Sequence, residues 1–252
     1  MPLPAAATRV SRTASAAARA ANVEAARDTR IESDAGDPNA TETNPRPDAA
    51  GGLVPHRAGS MRWRIEAASI PELFDGPRLR VAELFETGRA GIIKTGPHRT
   101  VHRLALASGC CYLKHYRVTD WAGLLHNVFR PCKAEREEQA ARRAADLGVR
   151  TYEIRGIGRV VAAGLVRDSY LLTKEVADAI GLDVFVTEAL AGLPEARRTR
   201  LGRQVARRAG ELTARLHQGG FLHRDYHSEN LLVEIDGSMR GPLEATRTPV
   251  AS

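Results

Sequence analysis

His223-Arg224-Asp225, with Asn230 five residues beyond the aspartate, is a combination of residue types suited to phosphoryl transfer. That reaction asks a protein mainly for positioning and charge neutralisation. A carboxylate must orient the acceptor hydroxyl and take its proton, and Asp225 has the chemistry. An amide oxygen must hold Mg²⁺ beside it, and Asn230 completes the spacing D-x-x-x-x-N. An ammonium must meet the α/β-phosphates, for which Lys114 is the candidate, and a helix acid must hold that ammonium, for which Glu137 is the candidate. Lys114, Glu137, Asp225 and Asn230 occur in the chain order that this arrangement needs. His223 and His227, four apart, could instead be a metal pair, but only on a helix and with a third ligand.

The elements that must position these groups are legible as patterns. VHRLALA (101–107) and CCYLKHYR (110–117) alternate as strands around Ser108-Gly109, a hairpin turn signal. Cys110, Tyr112, Lys114 and Tyr116 then share one face, because strand side chains alternate. Residues 133–147 read as a helix with a stripe of Ala140, Ala141, Ala144 and Leu147. Glu137 lies in the middle of that stripe, Glu138 at its edge, and Glu135 points away. An acid on a core-facing stripe requires a partner, since burying an unpaired charge is very costly. GRVVAAGLV (158–166) and SYLLTKEV (169–176) suggest a second hairpin around Arg167-Asp168. Residues 196–220 form a long amphipathic helix with Leu201, Val205, Ala209, Leu212 and Leu216 on one arc. Arg200, Arg203 and Arg207 lie opposite, and Gly219-Gly220 caps the end. The stretch GIIKTGPHRTV (91–101) has no G-x-G-x-x-G. Backbone amides around Gly96 could cover phosphates, or Gly96-Pro97 is an ordinary turn.

Composition bounds the rest. Residues 1–60 hold no aromatic side chain and few large aliphatics, so they cannot bury enough apolar surface to offset ordering, and are expected to be a disordered tail. Their Ala-, Ser- and Arg-rich start fits either an organelle transit segment or a bland extension, and Met61 could itself be the start. The tail's seven arginines balance seven acids, so the whole net charge of +7 falls in residues 61–252. A basic domain suits anionic partners. With no aromatic residues interleaved among the arginines of the long helix, nucleic acid is not expected. Three cysteines without a CxxC pair suit a reducing cytoplasm. No apolar run approaches the ~18 residues of a membrane span.

Strands, helix, strands, long helix, then the Asp225 loop is the order of a protein-kinase-like fold. The expected class is α+β, a bilobal kinase-like fold: tail 1–60, N-lobe 61–177, partial C-lobe 178–237 and irregular segment 238–252. On YLKHYR (112–117), RPCKAEREEQAARRAADLGVRTYE (130–153), SYLLTKEV (169–176) and LHRDYHSENLLVEID (222–236), the chain resembles the lipopolysaccharide-core kinase family, the Kdo- and heptose-kinase-like group. The D-x-H-x-x-N form is also similar to aminoglycoside phosphotransferases. The resemblance implies ATP and Mg²⁺ as cofactors, and transfer of the γ-phosphate to a sugar hydroxyl of a lipid-linked core. It implies a cytoplasmic protein in peripheral contact with the anionic inner face of the cytoplasmic membrane. It places Lys114, Glu137 and Gly96 at the nucleotide, a hinge near Glu175-Val176, Asp225 as catalytic base and Asn230 as metal ligand.

The pattern departs from the family after Asn230. The second metal-binding aspartate has only Asp236, in an Asp-Gly turn, or Glu244 to stand for it. The expectation is a truncated, impaired kinase whose long helix lacks partners for its apolar arc. The other classes open to these residues are a nucleotide-binding pseudokinase or scaffold, a small-molecule kinase of the aminoglycoside type, and a protein kinase.

Overall fold

A computed structural model describes residues 27–30, 52–119, 130–221 and 230–235. Among them the strands are β1 (Arg27–Arg30), β2 (Val54–Ala58), β3 (Met61–Ile65), β4 (Phe74–Asp75), β5 (Arg78–Leu79) and β6 (Ala90–Thr95). They continue with β7 (Arg99–Leu106), β8 (Gly109–Arg117), β9 (Ile154–Ala162), β10 (Leu165–Lys174), β11 (Ala179–Gly181) and β12 (Leu232–Glu234). The helices are α1 (Ile70–Leu73), α2 (Val81–Glu86), α3 (Lys133–Asp146), α4 (Leu182–Val184), which runs into a π turn at Phe185–Ala189, and α5 (Glu195–Gln218). This is the expected α+β, kinase-like arrangement.

An antiparallel sheet of order β2-β3-β9-β10-β8-β7-β6 carries the N-lobe. Strand alternation gives it two buried faces. Leu113 and its partner Leu172 point to one side, where α1, β4 and α2 add Leu73, Phe74 and Leu84. Lys114 and its partner Leu171 point to the other, where α3 packs with Ala134 and Ala141. On the first face an aromatic row crosses four strands. Trp63 stacks on Tyr170 at 5.4 Å and Tyr170 on His115 at 4.4 Å. Between Trp63 and Tyr170 lies Gly158, paired to both. A Cβ there would stand 2.3 Å from the Trp63 ring, so only glycine admits the stack.

Both hairpins form, each with a shifted turn. Leu106 pairs Gly109, so the β7–β8 loop is Ala107-Ser108, and Gly109 opens β8 at φ 112°. Ala162 pairs Leu165, so β9–β10 turns at Ala163-Gly164 and not at Arg167-Asp168. Both turn residues have positive φ, 51° and 77°, as a two-residue type I′ loop requires. Asp168 is instead a strand residue beside a bulge, hydrogen-bonded to His115.

Two other expectations change. The sheet begins at Val54, ahead of the Met61 boundary, and Arg27–Arg30 pair in parallel with β12, so residues 1–60 are not uniformly without structure. The arc of α5 is covered, not bare: Leu201, Val205, Leu212 and Leu216 are all buried. Val149, Phe221 and Leu231 cover its C-terminal half, and Phe185, Ala189 and Val233 its N-terminal half.

Candidate active site

Lys114 sits mid-strand in β8, where alternation turns it towards α3. It is 2% exposed, and its ammonium donates to Glu137 Oε2 at 2.8 Å. The expected strand–helix pair is therefore formed. A buried ion pair needs further hydrogen bonds to offset desolvation, and Tyr116 and Tyr152 supply support. The Tyr116 hydroxyl donates to the other carboxylate oxygen, Glu137 Oε1. Burial and the adjacent Glu137 charge push the Tyr116 phenol well above its ordinary pKa, so it stays a donor. The Tyr152 ring lies 5.1 Å from the ammonium. Glu138 is buried as well, but belongs to a different group: it accepts both of its Arg64 bonds at 2.7 Å and one from Arg142 at 2.9 Å.

The same face of β8 runs on to the end of β10. There the Glu175 carboxylate accepts two bonds from Arg103, at 2.9 and 2.7 Å, and one from the Tyr112 hydroxyl at 2.6 Å. Burial alone would raise this carboxyl, yet those bonds hold it below its ordinary value. The Glu175 amide donates to Cys110 O at 2.8 Å. Side chain and amide of Glu175 are thus committed within the lobe, and they fix where the chain leaves it. Val176, half-buried, packs against the cluster that contains Tyr116 and Ile154.

Gly96 opens the β6–β7 turn. Its amide donates to Arg99 O at 2.8 Å, and its carbonyl accepts from Arg117 at 2.9 Å. The turn is therefore tied to β8, and the Gly96 amide has an internal acceptor. Asn230 is 3% exposed and leads into β12, whose Leu232 is buried in the cluster beneath α3 and whose Val233 is buried against α5. Asp225, with the rest of 222–229, lies outside the described residues, as do Asp236 and Glu244.

The structure thus brings Lys114 to Glu137 and adds Tyr116, Tyr152, Tyr112 and Arg103, none of them given a role from sequence. The alternation with Lys114 was a signal for Tyr112 and Tyr116. Nothing local marks Tyr152.

Residues 99–243 match the lipopolysaccharide kinase (Kdo/WaaP) family. The chain belongs to this family. Two curated relatives, each named lipopolysaccharide core heptose(I) kinase WaaP, come from Escherichia coli strain K12 and Escherichia coli. Each is 24% identical over 141 residues, which is 54% of this chain and 52% of the relative. The chain therefore spans about half the length of the lipopolysaccharide kinases it matches. No solved structure matches it.

Proposed function

We propose that this member of the lipopolysaccharide kinase family transfers the γ-phosphate of ATP to a sugar hydroxyl of a lipid-linked core. The observation that carries the reading is the buried Lys114–Glu137 pair between strand and helix. An ammonium has three donors, and among the described residues Glu137 Oε2 is the one hydrogen-bond acceptor of Lys114. The remaining donors suit the α/β-phosphates of a nucleotide, with Tyr116 fixing the carboxylate that aims them. ATP supplies the phosphoryl group and Mg²⁺ neutralises its charge. Asn230 offers an amide oxygen to the metal. The carboxylates would come from outside the described residues, since none of the described His, Cys, Asp and Glu form a cluster of three that could hold an ion. Asp225 takes the hydroxyl proton. Glu175 and Arg103 hold the hinge, leaving the backbone beyond Glu175 for the base. The relatives' names make a core heptose the first acceptor to try. A reaction on such a glycan would take place at the inner face of the cytoplasmic membrane. No helix among the described residues is long and apolar enough to cross a membrane.

The test is transfer of labelled γ-phosphate from Mg-ATP to a lipid-linked core acceptor, beside Asp225→Ala. Transfer that disappears in the variant is the expected result. Transfer that persists in Asp225→Ala overturns the assignment. Thermal stabilisation by ATP with no transfer replaces it with a nucleotide-binding, non-transferring role.

A further inference from the structure

The α3 face of the sheet carries a feature that the transfer reaction does not use. Arg57, Arg62 and Arg159 are direct cross-strand partners on β2, β3 and β9. Arg64, two residues along β3, extends the same face. Like charges placed directly opposite destabilise a sheet, so such a row calls for an anion. The chain's own acids answer only part of it. Glu135 Oε1 accepts from Arg159 at 3.2 Å, while Glu135 Oε2 accepts the Cys132 amide at 2.8 Å. Glu138 is shared by Arg64 and Arg142. Among the described residues neither Arg57 nor Arg62 has a carboxylate partner, and Arg62 bonds only Gly59 O, at 3.3 Å. Arg62, Arg64 and Arg159 line a cavity of about 150 Å³ together with Trp63, Ile157, Gly158, Cys132 and one acid, Glu135.

We propose that this pocket and its arginine row bind a phosphate group carried at a bilayer surface. Guanidinium groups match phosphate oxygens in pairs and stay charged at every physiological pH. Arg62, Arg64 and Arg159 line the cavity and can surround one phosphate, while Arg57 extends the positive row beside it. Bound there, the N-lobe would lie against the membrane by its β2–β3–β9 end. The inference rests on the proposed acceptor only for the nature of the phosphate's carrier.

The experiment is vesicle co-sedimentation of the full chain without nucleotide, so that failure leaves the transfer reading standing. Vesicles of phosphatidylcholine, with and without phosphatidic acid, are compared, with inorganic phosphate as competitor. Wild type should bind only the phosphatidic acid vesicles. At about fivefold per arginine, Arg57→Gln/Arg62→Gln/Arg159→Gln should bind on the order of a hundredfold more weakly. Its Tm should stay close to that of wild type, since relief of like-charge repulsion offsets the lost half-exposed Arg159–Glu135 pair, which separates lost binding from lost folding. Arg200→Gln/Arg203→Gln/Arg207→Gln on α5 should bind as wild type. Equal binding by the row variant and wild type, or loss in the α5 variant instead, overturns the proposal. Binding of inorganic phosphate with no vesicle binding overturns the bilayer carrier.

Discussion

At the residue scale, Lys114 and Glu137 each make the other's burial tolerable. Removing one partner of a buried pair leaves an uncompensated charge and typically costs ~3–5 kcal/mol. Lys114→Met should therefore lower unfolding free energy by about that much and abolish transfer. Lys114→Met/Glu137→Leu should regain part of the stability in denaturant titrations but none of the transfer, because an apolar pair fills the space without serving phosphate and leaves the buried Tyr116 hydroxyl without its acceptor. Recovery of both would show that the pair is structural. Tyr116→Phe is a milder probe. It removes one buried hydrogen bond to a charged group, worth ~1.5–3 kcal/mol, and should raise the KM for ATP more than it lowers kcat. Glu175 supplies a pH test. Its carboxyl is held below the ordinary 4.5 by Arg103 and Tyr112. A depressed folded-state pKa contributes stability above the unfolded value, and that stability is lost as pH falls through the folded one. Glu175→Gln should thus be less stable than wild type at neutral pH, with the gap closing below about pH 4. A constant gap would mean the Arg103 clamp is not electrostatic.

At the element scale, the pattern of polar and apolar residues marked β7, β8, α3 and α5, because amphipathic burial dictates all four. Glu137 could be placed on the inward face of α3 for the same reason. What the pattern hid were features set by distant parts of the chain. The β9–β10 turn is one: Arg167-Asp168 looked like a polar loop, but tertiary pairing to β8 holds both in strand, and Ala163-Gly164 makes the turn. An L-residue in the left-handed region costs ~1–2 kcal/mol, and asparagine tolerates it better. Ala163→Asn should therefore stabilise the protein by about 1 kcal/mol in thermal melts, and destabilisation would contradict the turn assignment. Gly158 is another hidden feature, since only the neighbouring Trp63 ring shows why no side chain fits. Tyr152 and Arg103 likewise acquire roles only once β10 closes against β8 and α3.

At the scale of the whole molecule, the segment 66–86 and the strand β2 give the kinase-like sheet a second covered face. Composition concealed this, because β2 contributes few large apolar groups: within Val54–Ala58 only Ala58 is fully buried. Its contribution is instead pairing. Five cross-strand pairs join β2 to β3, from Val54 with Ile65 to Ala58 with Met61. The His56 ring lies 4.6 Å from Phe74, below the Trp63 stack. At ~0.2–1 kcal/mol per pair the strand adds about 1–5 kcal/mol. A chain beginning at Met61 would also leave β3 as a bare edge, open to pairing with other molecules. Two shortened chains separate the effects. One beginning at Gly52 keeps β2 and loses β1, whose loss frees one side of β12. One beginning at Met61 loses both. The second should melt several degrees below the first and aggregate sooner on heating, and its near-ultraviolet spectrum should change as Trp63 becomes accessible. Equal melting of the two chains would show that β2 adds nothing to the sheet, and would return the boundary of the folded unit to Met61.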